Sequence, residues 1–221
     1  MLRQLHADLW TADSSYRLAG IPFGARMTIV RLPDGSLLLH SPIGLEPFHD
    51  DIAQLGTVKY IVAPNNHHYL HLDEAAKAFP DAAVFALPSV AAKVQPNSEN
   101  LDDLPSWNGV LEHGRFGGSK FLVEEVFLHA PSRTLILTDL CFNLRVFPTP
   151  MAVLVAKSLD IYKRFGPSRI LRLAIRDRDA ASASLAQILQ WDFERVIVAH
   201  GNIVESDGKA QLAQAYSFLK K

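Results

Sequence analysis

The run from residue 60 to residue 79 constrains this chain most. Tyr60, Ile61, Val62 and Ala63 form an unbroken apolar stretch that stops at Pro64. A short apolar run closed by a proline predicts a buried strand. Leu72, Ala75, Ala76 and Phe79 then recur at the spacing of one helical face, which predicts a helix. Between them lie Asn65, Asn66, His67, His68, Tyr69, Leu70 and His71, placing three of the nine histidines within five positions. Strand, polar turn and helix make the repeating unit of α/β domains, which place their chemistry at the carboxyl ends of strands.

Other parts of the chain follow the same plan. Residues 27–32 and 37–40 are apolar runs joined by Pro33, Asp34, Gly35 and Ser36, a hairpin signal. A short helix is expected from about Glu46 to Leu55, with Gly56 to stop it. Residues 83–87 give another buried strand, residues 90–93 a helical turn, and residues 95–105 loop material. Residues 121–129 and 134–138 are strand candidates, the second nearly continuous in apolar residues and delivering Asp139. Residues 147–165 read as helix, 171–175 as strand or helix, and 179–190 as helix. Residues 195–199 form the last strand and deliver His200 and Gly201, before an amphipathic helix over residues 209–220. There is no fixed-period repeat and no long linker, so residues 1–221 read as a single domain.

Charge and cysteine content narrow the chemistry. A formal net charge of -1 gives no bulk attraction to nucleic acid or to an anionic membrane, so neither is an expected partner. The single cysteine, Cys141, excludes an internal disulfide and any cysteine-based zinc cluster. A metal would therefore need His, Asp, Glu or Asn. No stretch approaches the roughly 18–20 apolar residues of a membrane span, and the N-terminus has no apolar signal core, so the expected compartment is the cytoplasm.

Three apolar strands thus end in side chains of metal-ligand type: the histidine loop, Asp139 and His200. His68 and His71 stand three positions apart, while His67 alternates with His68 and points elsewhere. Glu124 and Glu125 are neighbours on one strand and face opposite sides, so at most one can face a site. Simpler roles stand beside these. Asp139 can cap the segment after its strand, and His200 can be satisfied by backbone. Cys141 reads as a small buried hydrophobe. Arg172, Arg176 and Arg178 read as a solvated helix face rather than a collector of anionic substrate.

In the order of these segments the chain resembles the metallo-β-lactamase superfamily, and is similar to a bacterial branch of it without an assigned function. Residues 66–71 overlay on HxHxDH: His68 matches the second His and His71 the last, while Asn66 replaces the first His and Leu70 the Asp. Asp139 looks like the metal-bridging Asp, with Thr138 where Gly is usual, and His200 ahead of Gly201 looks like the final His. The middle His has no match. Glu125 is favoured as its carboxylate substitute, with Glu124, His113 and His129 as the other candidates. The resemblance implies an α+β or α/β fold, a four-layered αββα sandwich with the metal site at one edge. It implies metal ligands His68, His71, Asp139, His200 and Glu125, a catalytic role for Asp139, and a binding role for Asn66.

A bound divalent transition metal lowers the pKa of water and polarises the substrate. Zinc is the first expectation, with iron or manganese as alternatives and no metal if the site is inactive. Leu70 cannot ligate, and the Asn66 carbonyl is a weak zinc ligand beside imidazole. The remaining set suffices for one metal and is poor for two. The expected function is a hydrolase-like protein with a reduced, mononuclear site and a small-molecule substrate. The alternatives are a metal-free binding or interaction module and an oxidoreductase with a single iron. The pocket walls are expected from residues 16–23, 88–118 and 142–165, and a homo-oligomer is left open.

Overall fold

A computed structural model of the chain describes residues 1–18, 21–94 and 97–219. Residues 19–20 of the expected pocket wall, 95–96 of the expected loop and Lys220 of the expected last helix lie outside the described residues. The strands are β1 (Arg3–His6), β2 (Leu9–Ser14), β3 (Arg17–Leu18), β4 (Ile21–Pro22), β5 (Ala25–Arg31), β6 (Leu37–His40), β7 (Val58–Val62), β8 (Ala83–Ala86), β9 (Glu99–Asn100), β10 (Leu111–Phe116), β11 (Glu124–His129), β12 (Thr134–Ile136) and β13 (Arg195–Ile197). The helices are α1 (His49–Leu55), α2 (Leu72–Ala78), α3 (Pro88–Val94), α4 (Pro150–Ser158), α5 (Arg169–Ala174), α6 (Arg178–Ile188) and α7 (Gly208–Ala215).

The chain divides into two compact units, the first made of Met1–Ser14 with Arg26–Glu112 and the second of Ser15–Ala25 with His113–Lys221. The first contains a seven-stranded sheet in the order β1-β2-β5-β6-β7-β8-β9. Its β5 and β6 are the expected hairpin, paired antiparallel from Thr28↔His40 to Arg31↔Leu37. The turn forms because Asp34 Oδ1 accepts from the Ser36 amide at 3.0 Å, and Gly35 supplies the positive φ of 81° that a side chain would resist. β6, β7, β8 and β9 run parallel. All four residues of β6 are buried, which is why this strand shows no polar alternation in sequence.

The second unit contains the four-stranded sheet β10-β11-β12-β13. β11 and β12 are antiparallel, and β12 and β13 parallel. Val126, Leu128, Leu135, Val196 and Val198 form its core with Leu185, Leu212 and Tyr216. The buried Tyr216 hydroxyl donates to the Leu140 carbonyl at 2.8 Å, meeting the need of a buried polar group for a partner. A second cluster holds Ile21, Phe23, Leu144, Ala152, Ala156 and Ile161.

Several element boundaries differ from expectation, each for a local reason. The helix expected over residues 147–165 is limited to α4. Thr149 caps its start by accepting from the Ala152 amide, Pro150 takes the first turn, and Asp160 and Lys163 adopt φ of 57° and 50°, incompatible with continuing a right-handed helix. The strand expected from residue 121 starts at Glu124, because the amides of Phe121 and Leu122 turn onto Ser119 Oγ. Residues 171–175 belong mostly to helix α5, capped by Ser168. The last helix stops at Ala215, followed by a 3-10 turn over Ser217–Leu219.

Candidate metal site

In the second unit, strand register places Asp139 and His200. The parallel pair β12 and β13 matches Thr134 with Arg195 and Ile136 with Ile197. Asp139 and His200 each follow the last matched pair by three residues, so the two strands deliver them side by side. Asp139 Oδ1 lies 3.3 Å from His200 Nε2, with side-chain exposures of 16% and 10%. The backbone under Asp139 is clamped. Glu124, fully buried, accepts from the Thr138 amide at 2.7 Å through Oε1 and from the Asp139 amide at 2.8 Å through Oε2.

His200 is oriented from its other nitrogen. Its Nδ1 is 2.7 Å from the Gly24 carbonyl oxygen. A carbonyl only accepts, so Nδ1 carries the hydrogen, and Nε2 is the atom turned toward Asp139. Phe142 stacks on the imidazole with ring centres 5.5 Å apart, and Phe23 meets it edge-on at 5.7 Å. Gly201 has φ of 100°, and any Cβ there would collide with the Asn143 carbonyl. The glycine therefore lets the chain turn away immediately after the histidine, while the Asn143 amide bonds the His200 carbonyl at 3.0 Å.

In the first unit, Asn65 organises the histidine loop. It is fully buried, and its Oδ1 accepts from the amides of His67 and His68 at 2.8 and 2.7 Å. That side-chain turn substitutes for backbone pairing beyond β7. His68 is then held by Ser41, whose Oγ lies 2.7 Å from His68 Nδ1. Ser41 is itself buried, with φ of 57° and its amide donating to Val62 at 2.9 Å. Next to it, burial and the neighbouring His68 hold the His40 imidazole down at about 3.

The remaining sequence candidates go elsewhere. His71 turns its Nδ1 onto Glu74 Oε2 at 2.8 Å in a half-exposed pair. The other oxygen of Glu74 takes the Leu45 amide at 2.8 Å, and these two bonds, the amide first, hold that carboxyl below its usual range. His71 thus ties the start of α2 to the segment before α1. Glu125, favoured from sequence, accepts from His113 Nδ1 at 2.7 Å and from Arg115 Nε at 3.1 Å, while Glu124 is the carboxylate bonded beneath Asp139. The correction follows from strand alternation, which gives the two glutamates opposite faces. His129 is buried with Nδ1 on Ser132 Oγ at 2.7 Å. Asn66 is half-buried, His67 exposed, and Leu70 71% exposed. Cys141 lies in the core, where burial pushes its thiol well up. Arg172 pairs with Asp160, and Arg178 donates to the Phe218 carbonyl.

Sequence reasoning overlooked Asn65, Ser41, Gly24 and Glu124 in its account of how the ligands are held. Asn65 had a usable signal, as an Asx residue directly after a strand and proline. Gly24 and Ser41 lie 176 and 27 positions from the side chains they hold, and no local pattern reports such pairs.

A family described as a domain of unknown function (DUF4336) matches residues 6–92. No curated protein matches the chain. Among solved structures, the DIM-1 metallo-β-lactamase aligns with a TM-score of 0.65 at 13% identity, covering 99% of this chain and 96% of that one. A metallo-β-lactamase from Pontibacter korlensis aligns with a TM-score of 0.63 at 16% identity, covering 100% and 99%. The Flv1 flavodiiron core from Synechocystis sp. PCC6803, a metal-soaked structure, aligns with a TM-score of 0.63 at 13% identity, covering 99% and 60%. At such identities the likeness carries the fold and leaves the reaction to the site. The two sheets, their strand ends and these alignments agree that the chain has the metallo-β-lactamase fold.

Proposed function

We propose that this chain is a metal-dependent, hydrolase-like protein whose site holds one divalent metal through Asp139 and His200 of the second unit. The observation that carries the reading is the approach of Asp139 Oδ1 to His200 Nε2 at 3.3 Å. With Nδ1 turned to the Gly24 carbonyl, Nε2 faces the Asp139 carboxylate, a side-by-side pair of donor atoms that a divalent cation can take as ligands. Imidazole and carboxylate donors suit zinc first, and also iron or manganese. Each ligand is supported from behind in the manner of metal-binding residues. Gly24 orients the His200 ring and Glu124 fixes the Asp139 backbone.

A metal held there supplies an activated water and a polarising charge for a substrate oxygen. His200 would hold it through Nε2, and Asp139 would add the negative charge and a hydrogen-bond acceptor for a water proton. Phe23 and Phe142 wall off His200 on two sides, which limits water around that ligand. The substrate would be a small molecule, and the reaction classes open to such a metal are cleavage of an ester, an amide or a phosphate bond.

The test is an assay of the full chain reconstituted with zinc, iron or manganese against substrates of those three classes. Metal-dependent cleavage of one class, lost in Asp139→Asn, is the expected result. Binding of none of these metals would overturn the reading. It would favour a metal-free binding module instead, for which the specific observation is Leu70, 71% exposed where the resemblance implies an Asp ligand.

A further inference from the structure

Five large aliphatic side chains stand exposed in one short stretch of the second unit: Val146 and Leu173 at 69%, Met151 and Leu154 at 62%, and Ile170 at 48%. Scattered singly such residues mean little; gathered in one stretch they mark a surface that meets something. Helix periodicity places them. α4 packs Ala152 and Ala156 inward with Leu144 and Ile161, which turns Met151, Leu154 and Lys157 outward at every third position. α5 packs Leu171 into the core of the second sheet, and Arg169, Ile170, Leu173 and Arg176 remain exposed. The Arg169 amide donates to the Leu159 carbonyl at 2.8 Å, so the end of α4 meets the start of α5. Each helix thus shows an outer stripe of aliphatic side chains flanked by cations.

The charge of the same stretch is one-sided. Residues 144–176 hold seven lysines and arginines and one acid, Asp160, a formal +6 in a chain whose total is -1. The whole-chain value conceals this segregation. Asp160 is engaged by both Arg164 and Arg172. Among the described residues no ion pair involves Arg145, Lys157, Lys163, Arg169 or Arg176. Lys157 and Lys163 place Nζ over the Tyr162 ring, 5.3 and 5.5 Å from its centre, and Arg145 donates to the Lys163 carbonyl at 2.8 Å. Three cations therefore gather about one ring. Asp177, the next acid in sequence, accepts from the Ala180 amide at 2.9 Å as the cap of α6.

This composition selects the occupant. A second copy docked by the same face would set like charge against like charge. Nucleic acid would use the cations and leave the aliphatic side chains without a partner. Protein hot spots are built on Trp, Tyr and Arg, with Leu and Val under-represented. An anionic bilayer surface uses both features, taking aliphatic side chains into the headgroup boundary and cations onto its phosphates and carboxylates. We propose that the outer stripes of α4 and α5 dock this chain on an anionic phospholipid surface. Nothing crosses the bilayer, and neither Asp139 nor His200 takes part, so docking proceeds with or without metal.

The experiment is co-sedimentation of the full chain with vesicles of phosphatidylcholine alone and of phosphatidylcholine with about one-third phosphatidylserine. Saturable binding to the anionic vesicles, weakened by salt, and none to the neutral ones is expected. Lys157→Glu combined with Lys163→Glu weakens binding about tenfold or more, and Leu154→Ser combined with Leu173→Ser about tenfold. Absence of saturable binding to the anionic vesicles, or equal binding to the neutral ones, overturns the proposal. Unchanged affinity in either double variant does so too, and if one variant fails to fold the other decides. Soluble poly-glutamate bound as tightly as the vesicles, with no loss in the leucine variant, assigns the face to an acidic protein and likewise overturns it.

Discussion

The histidine loop of the first unit and the strand ends of the second present metal-type side chains in different ways. The loop has three histidines in five positions, but they are held differently: His68 meets Ser41, His71 meets Glu74, and His67 is an exposed residue. The strand ends contribute one aspartate and one histidine, 61 positions apart in sequence, and bring them to 3.3 Å through the matched register of β12 and β13. Density of ligand-type residues therefore says less than what each ring already holds. A histidine bonded to an exposed glutamate ties two segments together; one bonded to a backbone carbonyl has its second nitrogen aimed.

The comparison breaks most directly at Glu124. Replacing it with Gln turns one of its two acceptors into a donor facing an amide of Thr138 or Asp139. The expected cost is about 1–3 kcal/mol of unfolding free energy. Metal affinity should fall about 10–100-fold. Glu125→Gln should leave metal affinity within about threefold, because its bonds go to His113 and Arg115. Chemical unfolding and competitive metal titration of both variants check the contrast, and equal effects would erase it.

The loop carries its own pH signature through His40. Its folded value of about 3 lies below the ordinary 6.5, so between those values the unfolded chain binds a proton that the folded chain does not. Stability contributed by this group is complete above pH 6.5 and declines as the pH drops, by up to about 1.4 kcal/mol per unit. Urea midpoints measured from pH 7 down to 5 should fall accordingly. A flat profile would contradict burial of a neutral ring.

Asn65→Ala should cost about 1–2 kcal/mol by freeing the His67 and His68 amides, as chemical unfolding would show. His71→Ala should have the smallest effect. Its partner is half-exposed Glu74, and such pairs contribute about 0–1 kcal/mol. Metal affinity should be unchanged, as a titration would show.

How far the sequence foretold this can be judged from particular residues. The apolar runs at 37–40, 60–63, 134–138 and 195–199 announced the central strands, because buried parallel strands need no polar alternation. Asp139 and His200 were visible as the first polar residues after such runs. His71 and Glu125 were misplaced, for the same reason that Asn65 and Ser41 were passed over. Spacing reports which face a residue occupies, and it does not report the partner that claims its side chain. Leu45 with Glu74 and Gly24 with His200 are contacts across 29 and 176 positions, and they exist only once the chain has folded.

The most direct test of the central claim is the metal stoichiometry of chelator-treated full chain titrated with zinc, beside Asp139→Ala and His200→Ala. The account predicts one equivalent bound by the unaltered protein, with affinity reduced at least about tenfold in each variant. Two equivalents, or one equivalent bound with full affinity by both variants, would contradict it.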